Sequence, residues 1–249
     1  MNEDATPAVV GRGVRVAYGS NVAIDASDFR LDCGTVTALI GPNGSGKTSL
    51  LHAIAGVLPL ASGTIERSES GIATVFQSTP EVEELPLSVR ATVAMARYGR
   101  RGWFQRLDGV DKRVVQDAME RLDVARLADR QLRELSGGER QRALVAQGVA
   151  QEADVLLLDE PITGLDIVSR DLIVEVMETE RAAGRTVVVS THDLRDAERV
   201  DQVILLSRRI VVAGPPSDVL TERWLSEAYG TRLVRVGEAI FLDDAHHHH

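Results

Sequence analysis

Gly41-Pro42-Asn43-Gly44-Ser45-Gly46-Lys47-Thr48 fits the pattern G-x-x-x-x-G-K-[ST] in full. Upstream, Thr35-Val36-Thr37-Ala38-Leu39-Ile40 is β-branched and apolar, which predicts a buried strand. Downstream, Leu50, Leu51, Ile54 and Ala55 recur at helical spacing, with Gly56 placed to end the helix. A strand, a glycine-rich turn and a helix N-terminus together make an anion site. Backbone N–H groups converge on phosphate oxygens, and the helix dipole favours negative charge. Gly44 and Gly46 are expected to leave that approach clear of any Cβ. Lys47 is expected to reach the β- and γ-phosphates, and the Thr48 hydroxyl to ligate Mg²⁺. The stretch therefore predicts a nucleoside triphosphate site.

The 249 residues are 44% apolar and 26% charged, the texture of a soluble globular protein with ample core. A net charge of -9 argues against a duplex-binding protein, so no nucleic acid partner is expected. The single cysteine, Cys33, cannot form an internal disulfide, which suits a reducing compartment. Met1 to Val10 is acidic and short and predicts no secretory leader. No uncharged apolar run approaches the length of a membrane span, so any span must come from another chain.

Val9 to Tyr18 and Val22 to Leu31 alternate apolar with polar residues around Gly19-Ser20-Asn21, and predict an antiparallel pair. Thr64 to Glu66 and Ile72 to Phe76 read as short strands. From Ser78 to Ala150 the pattern turns helical. Ser88 is placed to cap a helix through Val89, Val93 and Met95, and a second helix runs from about Asp111 to Leu122. Beyond Asp154 strands and helices alternate again. Val155 to Leu158 and Thr186 to Ser190 are apolar throughout, as buried parallel strands are. A helix from about Val168 to Ala183 separates them, and a final helix is expected near Asp218 to Tyr229. The fold class expected is α/β: a mostly parallel sheet flanked by helices, an N-terminal antiparallel β-subdomain and an inserted α-helical subdomain. Residues 1–241 form one domain in this reading, with the insert at about 78–150 and a His-rich tail at 242–249.

Val155 to Leu158 ends in Asp159 and Glu160. Beside a phosphate loop, Asp159 is placed to hold the Mg²⁺ and Glu160 to polarise an attacking water. Leu135-Ser136-Gly137-Gly138-Glu139-Arg140-Gln141-Arg142 contains a capping box, with Ser136 as N-cap and Glu139 reaching back. Two glycines at the start of that helix are poor for stability. They make sense if something large and anionic approaches the exposed N–H groups. Here the chain resembles the ATP-binding-cassette (ABC) ATPases, whose signature is LSGGQ; Glu139 replaces the usual glutamine. The resemblance runs from about Val9 to Tyr229 and implies a P-loop NTPase core that binds and hydrolyses ATP. It implies that Tyr18 stacks on adenine and that Gly41 to Ser49 (Gly41, Pro42, Asn43, Gly44, Ser45, Gly46, Lys47, Thr48 and Ser49) cradle the nucleotide. Gln77 would contact Mg²⁺ and the water, Gly164-Leu165-Asp166 would form a loop across a dimer interface, and His192 would contact the γ-phosphate. Two copies would pair head-to-tail, so that Ser136, Gly137, Gly138, Glu139 and Asp166 act in trans.

Within that family, Leu85 to Arg90, Tyr98 to Phe104, Pro161 to Asp166 and Gly214-Pro215-Pro216 look most like the ATPases of bacterial manganese, zinc and iron importers. This resemblance implies import of a divalent metal through separate integral membrane permease subunits, with an extracytoplasmic metal-binding protein in the same system. The chain itself would sit in the cytoplasm, peripheral on the inner face of the membrane. The alternatives are uptake of another solute, or a soluble cassette ATPase such as one for iron–sulfur assembly. Arg97, Arg100, Arg101 and Arg106 around Trp103 read as a basic-aromatic patch, open to a lipid surface, a membrane subunit or plain solvent. The ending Asp243-Asp244-Ala245 and His246 to His249 is open between metal binding and part of a purification tag.

Overall fold

The structure is a computed structural model that describes residues 6–67, 71–76, 86–101, 106–230, 233–236 and 239–242. It divides into two units, one made of the segments up to Arg67 and from Ser190 onward, the other of Ser68–Val189.

In the first unit, alternation in the N-terminal segment produces the expected antiparallel pair. Pro7–Tyr18 and Asn21–Asp32 pair from Pro7↔Asp32 to Tyr18↔Asn21, with register shifts that bend the ribbon. Ser62–Arg67 pairs with the other edge of Pro7–Tyr18 and completes a three-stranded antiparallel sheet. Val14, Val16, Ile24 and Leu31 are buried. Val36–Ile40, buried at every residue, pairs in parallel with Gln202–Leu206, and Ile210–Gly214 adds to the latter antiparallel. The helix Lys47–Ala55 buries Leu50, Leu51 and Ile54 and ends at Gly56, whose N–H reaches the carbonyls of Ala53 and His52. Burial of each of those three side chains is worth about 1.5–3 kcal/mol, which holds the loop helix in place. The single terminal helix expected near Asp218 to Tyr229 is instead two, Pro216–Val219 and Glu222–Tyr229. Leu220 leaves the helical region at ψ 47° and Thr221 is extended, so the chain must start a new helix.

In the second unit, Ile72–Val75 and Val155–Asp159 pair in parallel, and Thr186–Ser190 follows in the sheet order. The latter two strands are buried at every residue, as their apolar sequences predict. Between the first two strands the chain forms the helices Val89–Arg101, Gly109–Arg121 and Gly137–Val149. Ser88 caps the first, its Oγ accepting the Ala91 N–H at 3.2 Å. The second begins at Gly109 because Asp108 and Asp111 form a reciprocal capping box. Val93, Val115, Met119, Leu122 and Val145 are buried in this unit. Ile167–Ala182 connects the last two strands.

Arg97 corrects the reading of an exposed basic patch. It is only 7% exposed and donates to Asp111 at 3.0 Å, to the Ala150 carbonyl at 3.0 Å and to Glu152 at 2.7 Å. Burial works against its charge, but the bonds and charges of Asp111 and Glu152 outweigh it, and the pKa of Arg97 is raised. Trp103 lies outside the described residues. The antiparallel sheet, the mostly parallel strand pairs and the helices between them make the α/β class expected from the sequence. No helix among the described residues is long and apolar enough to cross a membrane.

Candidate nucleotide site and signature helix

The buried strand Val36–Ile40 delivers the chain into the loop at Gly41. The Ser45 N–H folds back to the Pro42 carbonyl at 3.0 Å, and the Leu50 N–H to Gly46 closes the first helical turn at 2.8 Å. Gly44 and Gly46 have φ of 77° and 102°, a region that side chains disfavour. Their surroundings differ. A Cβ on Gly44 would meet nothing, whereas one on Gly46 would strike the Ile24 side chain and the Ala23 carbonyl. The reason for Gly46 is thus in part the strand beneath it, beyond clearance for a ligand.

Lys47 is buried, and its Nζ donates to the carbonyls of Gly41 at 2.9 Å and Pro42 at 3.4 Å, which sets a cation inside the curl. The helix that starts here has no side-chain cap and no acidic residue in its first turn. Its N–H groups and dipole are left to an outside anion. The Ser45 hydroxyl is buried with no partner among the described residues. A buried hydroxyl left so costs about 1–3 kcal/mol. Phosphate oxygens would satisfy both the amides and this hydroxyl, so the residues present fit a nucleotide's phosphates. Thr48 is exposed and Ser49 half-buried.

Two contacts absent from the sequence reading brace the loop. The Arg208 N–H, at φ 56° in the turn after Gln202–Leu206, donates to the Ser45 carbonyl at 2.9 Å. The Arg208 carbonyl accepts from Asp25 at 2.7 Å. Tyr229 brings its buried hydroxyl near the backbone of Gly41 without closing a hydrogen bond there, and burial pushes its ionisation well up. Arg208 and Tyr229 carry no motif; only tertiary contact reveals them.

Tyr18 and His192 lie in the same unit. Tyr18 is half-exposed with its hydroxyl 3.4 Å from Ser49 Oγ. His192 is exposed, in a tight turn where Asp193 N–H donates to Thr191 Oγ1 at 3.0 Å. Thr191 N–H donates to the Leu39 carbonyl at 3.0 Å, which ties that turn to the strand feeding the loop.

In the second unit, Asp159 is buried at the end of its strand. Glu160 follows at φ 48°, an uncommon conformation for a side-chain-bearing residue that costs on the order of 1–3 kcal/mol. The strain falls on the residue expected to act as base. Ser136 caps the helix Gly137–Val149: its Oγ accepts from Glu139 N–H at 3.3 Å, and Glu139 accepts from Ser136 N–H at 3.0 Å. The Ser136 amide bond, more than its hydroxyl or the nearby Arg126 and Arg130, holds the Glu139 carboxyl below its ordinary range.

The structure also joins two motifs that the sequence kept apart. Asp166 caps the helix Ile167–Ala182, accepting from Ser169 N–H and Oγ at 2.9 Å each, and those bonds lower its pKa. A Cβ on Gly138 would lie 2.6 Å from Ser169 Oγ and 2.8 Å from Asp166 Oδ2, while one on Gly137 would meet nothing. Ser169 is buried and was not anticipated. Gln77 and His246 to His249 lie outside the described residues.

The family pattern described as ABC transporter matches residues 24–163. The chain is similar to the zinc transport system ATP-binding protein TroB of Treponema pallidum, 36% identical over 226 residues covering 88% of this chain and 85% of that one. It is similar to the manganese transport system ATP-binding protein MntB of Listeria monocytogenes, 34% identical over 227 residues covering 88% and 95%. Among solved structures, it is similar to a transporter assigned to the metal-chelate ABC type in an inward-facing conformation. That likeness has a TM-score of 0.80 at 27% identity and covers 95% of this chain and 96% of the other.

Proposed function

The chain belongs to the ABC transporter family, and from that premise we propose that it binds and hydrolyses ATP to drive import of a divalent metal ion through separate membrane subunits. The observation that carries the nucleotide reading is the uncapped helix start at Lys47, with a cation inside its loop and a buried hydroxyl awaiting a partner. Gly41 to Ser49 cradle the phosphates in this reading, and Lys47 exchanges the Gly41 and Pro42 carbonyls for phosphate oxygens. Tyr18 gives up its contact with Ser49 to stack on adenine. Thr48, Asp159 and Gln77 would hold Mg²⁺, which when bound neutralises charge on the phosphates. Glu160 accepts the proton of the attacking water, with Gln77 orienting the water and His192 touching the γ-phosphate.

The signature helix supplies the second half of the site in a two-fold dimer. Ser136 and the open backbone at Gly137 approach the nucleotide held by the other copy, beside the Asp166 turn of their own chain. Such a dimer, with permease subunits and an extracytoplasmic metal-binding protein, places the chain on the inner face of the cell membrane. The metal cargo rests on the zinc and manganese systems named for its relatives. Bacteria lacking this chain should show lower manganese, zinc or iron by elemental analysis and recover when it is restored. Unchanged metal content, with loss of another solute's uptake, would redirect the cargo while leaving the ATPase reading intact.

A further inference from the structure

A pocket in the second unit is lined by none of the residues given a nucleotide-binding or signature role above. It is formed by Arg90, Ala94 and Tyr98 of the helix Val89–Arg101, by Arg106 and Leu107, and by Lys112 and Val115 of the helix Gly109–Arg121. Its volume is about 520 Å³, within the range of small-ligand sites. Among the described residues that line it, three side chains are cationic and none is acidic. Nearby carboxylates are occupied elsewhere: Asp111 binds Arg97, and Asp108 caps the helix through the Val110 and Asp111 amides. Arg106 and Lys112 have no ion-pair partner among the described residues. Arg90 has only a 4.0 Å approach to Asp129, which is itself almost wholly exposed, and a 3.4 Å bond to Gln116. Ala94, Leu107, Val115 and the ring of Tyr98 make the rest of the wall apolar.

Three uncommitted or weakly committed cations over an apolar wall favour a ligand with an anionic head and an apolar body. Charge-assisted bonds to the head gain strength from arginine and lysine together, and the wall removes apolar surface from water. We propose that this pocket binds a phosphate ester carrying an apolar group, with its head among Arg90, Arg106 and Lys112 and its body against Ala94, Leu107 and Val115. Such a ligand can be a soluble organic phosphate or the head of an anionic lipid.

Calorimetric titration of the full chain with octyl phosphate below its micelle concentration, and in parallel with inorganic phosphate, tests the site. Octyl phosphate should bind about tenfold or more tightly than inorganic phosphate, because only it fills the apolar wall. Arg106→Glu with Lys112→Glu should weaken octyl phosphate about tenfold or more, and the milder Lys112→Gln should weaken it in the same direction. Lys47→Ala should leave it within about twofold, since the loop site is separate. Flotation with vesicles of equal parts phosphatidylglycerol and phosphatidylcholine, against phosphatidylcholine alone, separates the sources. Retention that needs phosphatidylglycerol and is lost in the double variant assigns a lipid head; octyl phosphate binding without retention assigns a soluble ester. No octyl phosphate binding, equal binding of the two phosphates, unchanged binding in both pocket variants, or loss of binding in Lys47→Ala would overturn the proposal.

Discussion

Gly137 and Gly138 are neighbours of the same type, yet the fold asks different things of them. Gly138 has no room for a Cβ against Asp166 and Ser169, whereas Gly137 faces open space. Gly138→Ala should therefore lower the urea midpoint by disturbing the Asp166 cap, whose loss costs about 0.5–2 kcal/mol. Gly137→Ala should hold or raise stability, by up to about 1 kcal/mol, and still reduce ATP turnover if the dimer needs that backbone bare. Equal stability losses in both would show that the two positions are not distinguished by packing. Glu139 gives a second test. Its carboxyl is depressed, so its stabilising effect is present above the unfolded-state pKa and is lost as pH falls through the folded value. Glu139→Gln keeps a capping box but should lack that loss when urea midpoints are followed from neutrality into the carboxylate range. An identical acid limb in both proteins would show that ionised Glu139 adds nothing to stability. The box was legible because serine and glutamate three apart act locally. The Gly138 contact was not, because its partners come from a distant segment.

Among the elements, the strands up to Gly214 were legible because their apolar runs and alternations are local, and so was the loop helix between Ile40 and Gly56; the antiparallel pair Leu233–Val236 and Ala239–Leu242 was not. Arg97 was not. It stands among arginines near a tryptophan and reads as solvated, but its partners Asp111 and Glu152 lie 14 and 55 residues away. The fold uses it to tie the helices Val89–Arg101 and Gly109–Arg121 to the segment after Gly137–Val149. Arg97→Met would break the buried ion pair with Asp111, a loss on the order of 3–5 kcal/mol in urea unfolding. A cost under about 1 kcal/mol would mean that the three segments do not depend on this ion pair. The terminal helix shows a milder limit. Its periodicity spans Leu220 and Thr221, but backbone angles at those two residues divide it.

For the whole molecule, the phosphate loop lies in one unit of the chain, while Asp159, Glu160 and the signature helix lie in the other. The motif set was readable because each motif is contiguous. The brace at Arg208 and the strained backbone at Glu160 exist only in the folded chain. Glu160 as the base for ATP hydrolysis is checked by the steady-state turnover of the purified chain against that of Glu160→Gln. Turnover of Glu160→Gln should fall about 10²–10⁴-fold, with ATP binding retained and ATP-dependent dimers accumulating. Turnover in Glu160→Gln equal to that of the unaltered chain would contradict it.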